Sequence, residues 1–297
     1  MESSPTPPTK GRSFVSRLGS TVLLWALVLT AIAWQNPAMI LGLTCLMGML
    51  STVEYFNLVA QERAARPYAL LGIGIALAWW ACTLRVALAA APGSSLAAVM
   101  DARYDLGALV LALQGSFLLA YRGHLEGAAT LQRIFATVFG VFYTVICFGF
   151  IARLMLINGN GRDISLALYV IATTKFTDMG AYAVGSLFGK HKMIPHISPA
   201  KSWEGLAGAL LGTSVATGLM WLLIPAARLA PLTPVHSLVL IPIICFTAVT
   251  GDLAESIIKR CVAIKDSGHK LPGIGGILDL TDSLLFTAPV VYFYLVR

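Results

Sequence analysis

Charge is what this sequence has least of. Asp, Glu, Lys and Arg together make up 12% of its 297 residues, and only 14 of those are acidic. With 57% hydrophobic residues and a mean hydropathy of +0.79, an ordinary soluble fold is excluded. Cysteine is sparse as well. Its five copies (Cys45, Cys82, Cys147, Cys245 and Cys261) form no CxxC pair, which argues against a disulfide framework and a zinc site. No GxxxxGK[ST] is present, so there is no P-loop, and no Ser–His–Asp or Cys–His arrangement is evident. Neither an internal repeat nor a separate soluble domain can be seen.

Long apolar runs dominate instead. A membrane-spanning helix needs ~20 mainly apolar residues. Nine stretches qualify: 18–34, 38–59, 68–90, 106–121, 133–157, 164–188, 204–224, 237–258 and 283–296. The fold class is therefore all-α, a polytopic transmembrane helical bundle of about nine spans. Residues 1–12, MESSPTPPTKGR, read as a disordered cytoplasmic tail, and 13–297 as a single membrane domain. The AIA at Ala31–Ala33 resembles a signal-peptidase site, but an uncleaved first helix is the preferred reading.

The net charge of +7 invites a nucleic-acid reading, which its distribution opposes. Alternating nine spans from an inside N-terminus puts fourteen basic residues in inner loops and only Arg103, Arg162, Arg228 and Arg297 outside. That asymmetry follows the positive-inside rule and gives an N-in, C-out topology in a membrane, with no nucleic-acid partner.

Polar residues inside the spans are the informative minority. Glu54 and Arg85 interrupt the first half, and structural roles are expected for both. From about residue 164 to 297 the character changes, and three polar clusters appear at the cytoplasmic ends of spans six to nine. The first contains Lys175 and Asp178, three residues apart on one helical face. The second is TGDLAESIIKR, in which Asp252, Glu255, Ser256 and Lys259 form one polar stripe. Such a stripe faces either a polar cavity or a helix-locking salt-bridge network.

The third, KDSGHKLPGIGGILDLTDS at 265–283, ends in Asp279 and Asp282. Spaced by three, these carboxylates can address one hard divalent cation, with helix capping as the competing role. Gly273, Gly275 and Gly276 offer a backbone free of Cβ bulk to phosphate oxygens, and Lys201, Lys265 and Lys270 can neutralise phosphate charge. Carboxylates, lysines and a glycine-rich segment on one side of the membrane suit phosphoryl or nucleotidyl transfer.

The stretch Ser256–Asp282 closely resembles the signature of the phosphatidate cytidylyltransferases, also called CDP-diacylglycerol synthases. Ser256, Lys259, Arg260, Lys265, Asp266, Gly268, Leu271, Pro272, Gly275, Gly276, Asp279 and Asp282 fall in register. TDMGAYAVGSLFGKHK, ISPAKSWEGLAG and TGDLAES look like blocks of the same family, so the likeness covers about the C-terminal half. It departs at two positions, with Ile274 where the family has His and Leu280 where it has Arg.

This resemblance implies transfer of a cytidylyl group from CTP to phosphatidate, giving CDP-diacylglycerol and pyrophosphate. It implies Mg²⁺ or Mn²⁺ held by Asp252, Asp279 and Asp282, with Asp266 orienting Lys265 or serving a second cation. Lys259 and Lys265 would steady phosphates. Ser198, Lys201, Trp203 and Glu204 look like part of the CTP site, with Trp203 either stacking on cytosine or sitting at the membrane interface. Asp178 and Tyr182 would support the cavity wall. A homodimer, and a bacterial cytoplasmic (inner) membrane with the site facing the cytoplasm, complete the expectation. Two rival readings use the same residues: a membrane kinase or phosphotransferase with another nucleotide or lipid, and a non-catalytic lipid or solute transporter.

Overall fold

The computed structural model describes residues 37–89, 102–155, 157, 163–263 and 276–296. The tail 1–12, the first apolar stretch 18–34 and most of the glycine-rich segment lie outside them. Eight long helices run in sequence: α1 (Pro37–Val59), α2 (Arg66–Ala89), α3 (Ala102–Arg122), α4 (Ala128–Leu154), α5 (Ser165–Phe188), α6 (Trp203–Leu223), α7 (Pro234–Cys261) and α8 (Ile277–Leu295). Seven are long and apolar enough to cross a membrane, the exception being α5, which carries Lys175 and Asp178. Large apolar side chains such as Leu111, Leu222 and Phe246 point outward, as suits helices solvated by lipid. This is an all-α polytopic bundle and an integral membrane protein.

One element among the described residues is not helical. Lys192–Ile194 (β1) and Ser198–Ser202 (β2) pair antiparallel as a short hairpin between α5 and α6. Pro195 and Pro199 suit neither a helix interior nor a central strand, but a two-stranded ribbon with open edges accommodates them. Helix α8 also begins six residues earlier than the apolar run suggested, at Ile277. Its polar first turn is helical because other groups satisfy its free N–H donors. Asp279 Oδ2 accepts from Gly276 at 2.8 Å, and Glu54 accepts from Leu278 at 2.8 Å.

The two halves pack by different means. In the first, aromatic rings from one helix cover glycines on another: Trp80 over Gly48, Phe56 over Gly72 and Trp79 over Gly149. In the second, α5 and α6 bring backbone against backbone. A methyl group on Gly180 would strike the carbonyl oxygen of Gly208, and one on Gly212 would strike that of Phe176. Small residues permit this approach, and dispersion contacts between the helices reward it, since lipid tails offer no hydrophobic drive. At the end of the bundle away from the hairpin, buried Arg153 pairs with Asp105 at 2.6 Å and stacks on Phe150, while Trp79 donates to the same aspartate. Arg85, in contrast, is exposed near the end of α2.

Candidate active site

Helices α5, α7 and α8 and strand β2 gather lysines and carboxylates at one end of the bundle. On α5, Lys175 pairs with Asp178 at 3.1 Å and also donates to the Ser283 hydroxyl on α8 at 3.1 Å. Ser283 in turn donates to Asp178 at 2.9 Å, closing a triangle between the two helices. Lys201 on β2 reaches Asp252 on α7 at 2.8 Å. Lys259 on α7 sits between Glu255, one turn back at 2.6 Å, and Asp279 on α8 at 2.7 Å.

Local sequence explains the convergence. The 252, 255, 259 spacing lays one polar stripe along α7, and that stripe faces α8. Gly251 lets the two backbones close up. A Cβ there would lie 2.7 Å from the Asp282 carbonyl oxygen and 3.0 Å from the Ser283 Cα. Asp252 is thereby set beside Asp282, which is 3% exposed and interacts electrostatically with Lys175, Asp252 and Asp178. Strand β2 is positioned from its far end. Ser202 caps α6 by accepting from Gly205 at 3.1 Å, and Trp203 donates its N–H to the His191 carbonyl at 3.0 Å.

The expected site residues divide accordingly. Asp178, Lys201, Asp252, Lys259, Asp279 and Asp282 belong to the cluster. Ser256 is half-buried on the same helix, while no polar partner for Ser198 or Arg260 in the cluster is seen among the described residues. Glu204 is turned elsewhere. It accepts the N–H groups of Lys190 and His191 at 3.2 Å and meets His191 Nδ1 at 2.6 Å, so it ties the start of α6 to the residues that lead into β1. Trp203 is 58% exposed at the start of α6. Tyr182 is 79% exposed, on the last turns of α5, which lead out to exposed Leu187 and Phe188. Gly276 caps α8, whereas Lys265, Asp266, Gly275 and Ile274 lie outside the described residues.

Four residues of the site have no counterpart among the expected ligands. Glu255 is 1% exposed and bonded to Lys259, and its place in the α7 stripe was the available signal. Lys175 bridges to Ser283, whose role no spacing announces. Glu54, in the other half of the chain, holds the start of α8.

The described residues hold no complete protein cage for a divalent cation. Among the described residues, no three His, Cys, Asp or Glu side chains converge on one point. Asp279 is engaged by Lys259 and Gly276, which is the capping role. Asp282, with Asp252 and Asp178 as its acidic neighbours, offers the one or two carboxylates that Mg²⁺ takes when phosphates complete its shell.

Fold and site together define a polytopic membrane protein with a lysine–carboxylate cluster where α5, α7, α8 and β2 meet. Comparison with known proteins narrows the class. The model of the cytidylyltransferase family matches residues 15–297, and the chain belongs to that family. It is similar to a phosphatidate cytidylyltransferase of Mycobacterium leprae, 43% identical over 135 residues, covering 46% of this chain and 40% of the relative. A Mycobacterium bovis protein of the same name is 41% identical over 166 residues, 56% of this chain and 51% of the relative. The uncharacterized protein YnbB of Escherichia coli is 35% identical over 199 residues, 65% and 64%. The matched region thus spans between two-fifths and two-thirds of the length of these relatives.

Proposed function

We propose that this chain transfers the cytidylyl group of CTP to phosphatidate, yielding CDP-diacylglycerol and pyrophosphate. One observation carries the reading: three lysines, Lys175, Lys201 and Lys259, are each fixed by carboxylates in one cluster of a cytidylyltransferase-family chain. A triphosphate needs concentrated positive charge, and cations already oriented by the fold need no reorganisation when charge shifts during reaction. The names of the Mycobacterium relatives support phosphatidate as the acceptor.

In the proposed reaction an oxygen of the lipid phosphate forms a bond to the α-phosphorus of CTP. The bond from that phosphorus to the β-phosphate bridging oxygen breaks, and pyrophosphate leaves. A phosphate monoester is ionised at neutral pH, so the nucleophile needs no general base, which fits a chain with Ile274 at the family histidine. Lys259 and Lys201 would face the phosphates, while Asp252 and Asp282 would hold Mg²⁺. That ion, when bound, neutralises charge on the triphosphate and the departing pyrophosphate. Phosphatidate lies in the membrane and CTP in the cytosol, so this end of the bundle would face the cytoplasm of a bacterial inner membrane.

The test is pyrophosphate release by the detergent-purified chain with CTP, phosphatidate and Mg²⁺, with Asp282→Asn and a chelator in parallel. Release that requires the lipid, stops on chelation and falls at least about 100-fold in the variant is expected. Release with another nucleotide but not CTP would replace the donor. Lipid movement without pyrophosphate would establish a transporter.

A further inference from the structure

Among the described residues, helix α1 of the first half of the chain reaches the site. Helix α1 carries Glu54, which is 2% exposed, and its Oε2 accepts the N–H of Leu278, the second residue of α8. One turn back along α1, the buried Ser51 hydroxyl shares a hydrogen bond with Thr281 at 2.9 Å. Residues 51 and 54 are three apart, as are 278 and 281, so matching faces of two helices are joined by two rungs. Just beyond α1, Gln61 donates to the Val262 carbonyl at 3.4 Å, at the end of α7. Contacts from α1 and its following turn therefore touch both helices that supply the site's acids.

We propose that Glu54 is a positioning residue for the transfer reaction. By taking the Leu278 N–H it sets where the first turn of α8 begins, and so where Asp279 and Asp282 stand relative to Lys259 and Asp252. The geometry is directional. Leu278 immediately precedes Asp279, which spans Gly276 and Lys259 with its two oxygens. A shift of the first turn would pull that aspartate off one partner or the other. The Glu54 oxygen meets the end of α8 where free N–H donors collect, and at 2% exposure it has little competition from water. The inference rests on the proposed function for its kinetic consequence, but its structural part stands separately.

The test uses the full chain in detergent with three variants: Glu54→Gln, Glu54→Asp and Glu54→Leu. Two readouts are followed, steady-state pyrophosphate release and hydrogen exchange at the Leu278 amide. Gln keeps an acceptor of the same reach and should hold kcat within about threefold. Asp retains the charge but withdraws it by one methylene. Its kcat should fall about tenfold or more, with KM for CTP little changed, while Leu278 exchange accelerates. Leu should lose on the order of 100-fold in kcat.

Should the Leu variant fail to fold, the Asp and Gln pair carries the comparison alone. Folded Asp protein with unaltered turnover and unaltered Leu278 exchange overturns the inference. Faster exchange with full turnover overturns the positioning role and leaves a structural anchor. If the parent chain itself releases no pyrophosphate, the proposed function falls, and exchange at Leu278 alone decides whether Glu54 holds the helix start.

Discussion

Lys259 has two carboxylates to satisfy, and both lie away from water. Glu255 is almost fully buried and Asp279 half-buried, and the Lys259 ammonium contacts both. Lys259→Met removes that contact while keeping most of the side chain's bulk. Leaving a buried charge uncompensated costs about 3–5 kcal/mol, so the variant should unfold well below the parent temperature in a detergent melt. Arg153→Met should cost a comparable amount of stability at the far end of the bundle, where it strands Asp105, yet leave KM for CTP unchanged in the folded fraction. At this scale the sequence was informative about candidates. The α7 spacing named the stripe, and the 279/282 spacing left cation binding and capping open for Asp279. The structure gives Asp279 the cap and a lysine.

Helices reach the site only because glycines let them. Gly251 admits the α8 backbone at Asp282, and Gly180, Gly208 and Gly212 let α5 and α6 touch along their axes. Gly251→Val must push α8 outward, moving Asp282 away from Asp252. We expect most of the turnover to be lost, on the order of 100-fold, with the protein still monodisperse on size exclusion. Gly208→Leu acts elsewhere. It opposes a backbone carbonyl that cannot move aside, so the expected outcome is about 1–3 kcal/mol or more of destabilisation and a reduced folded yield. Both glycines fall in the family-like blocks TGDLAES and ISPAKSWEGLAG, but those blocks do not say which backbone each glycine must admit. Their importance depends on which neighbour lies opposite. The β1–β2 hairpin escaped for a related reason, since three- and five-residue strands between two spans have little pattern to read.

Across the whole molecule, the loops after α1 and α3, the end of α7 and the start of α8 meet at the site end. Arg133 joins Glu62 to Glu126 there, at 2.9 and 2.6 Å, and Gln61 reaches Val262. If this end is cytoplasmic, a chain retaining only the exposed Cys261 should react with a membrane-impermeant maleimide in inside-out vesicles and resist it in intact spheroplasts. Labelling from the outside would reverse the assigned orientation. Composition alone determined that this is a polytopic helical membrane protein. In a hydrocarbon solvent every charge is costly, so the few charges present mark the places where the fold must supply partners. The same economy made the C-terminal polar clusters visible in one dimension. Only the tertiary structure decided the pairing: Lys201 with Asp252, Lys175 with Ser283, and Glu54 with an amide 224 positions away. Partners that distant are chosen by helix packing, because a buried donor or acceptor must be satisfied by whatever group the neighbouring helix brings within reach.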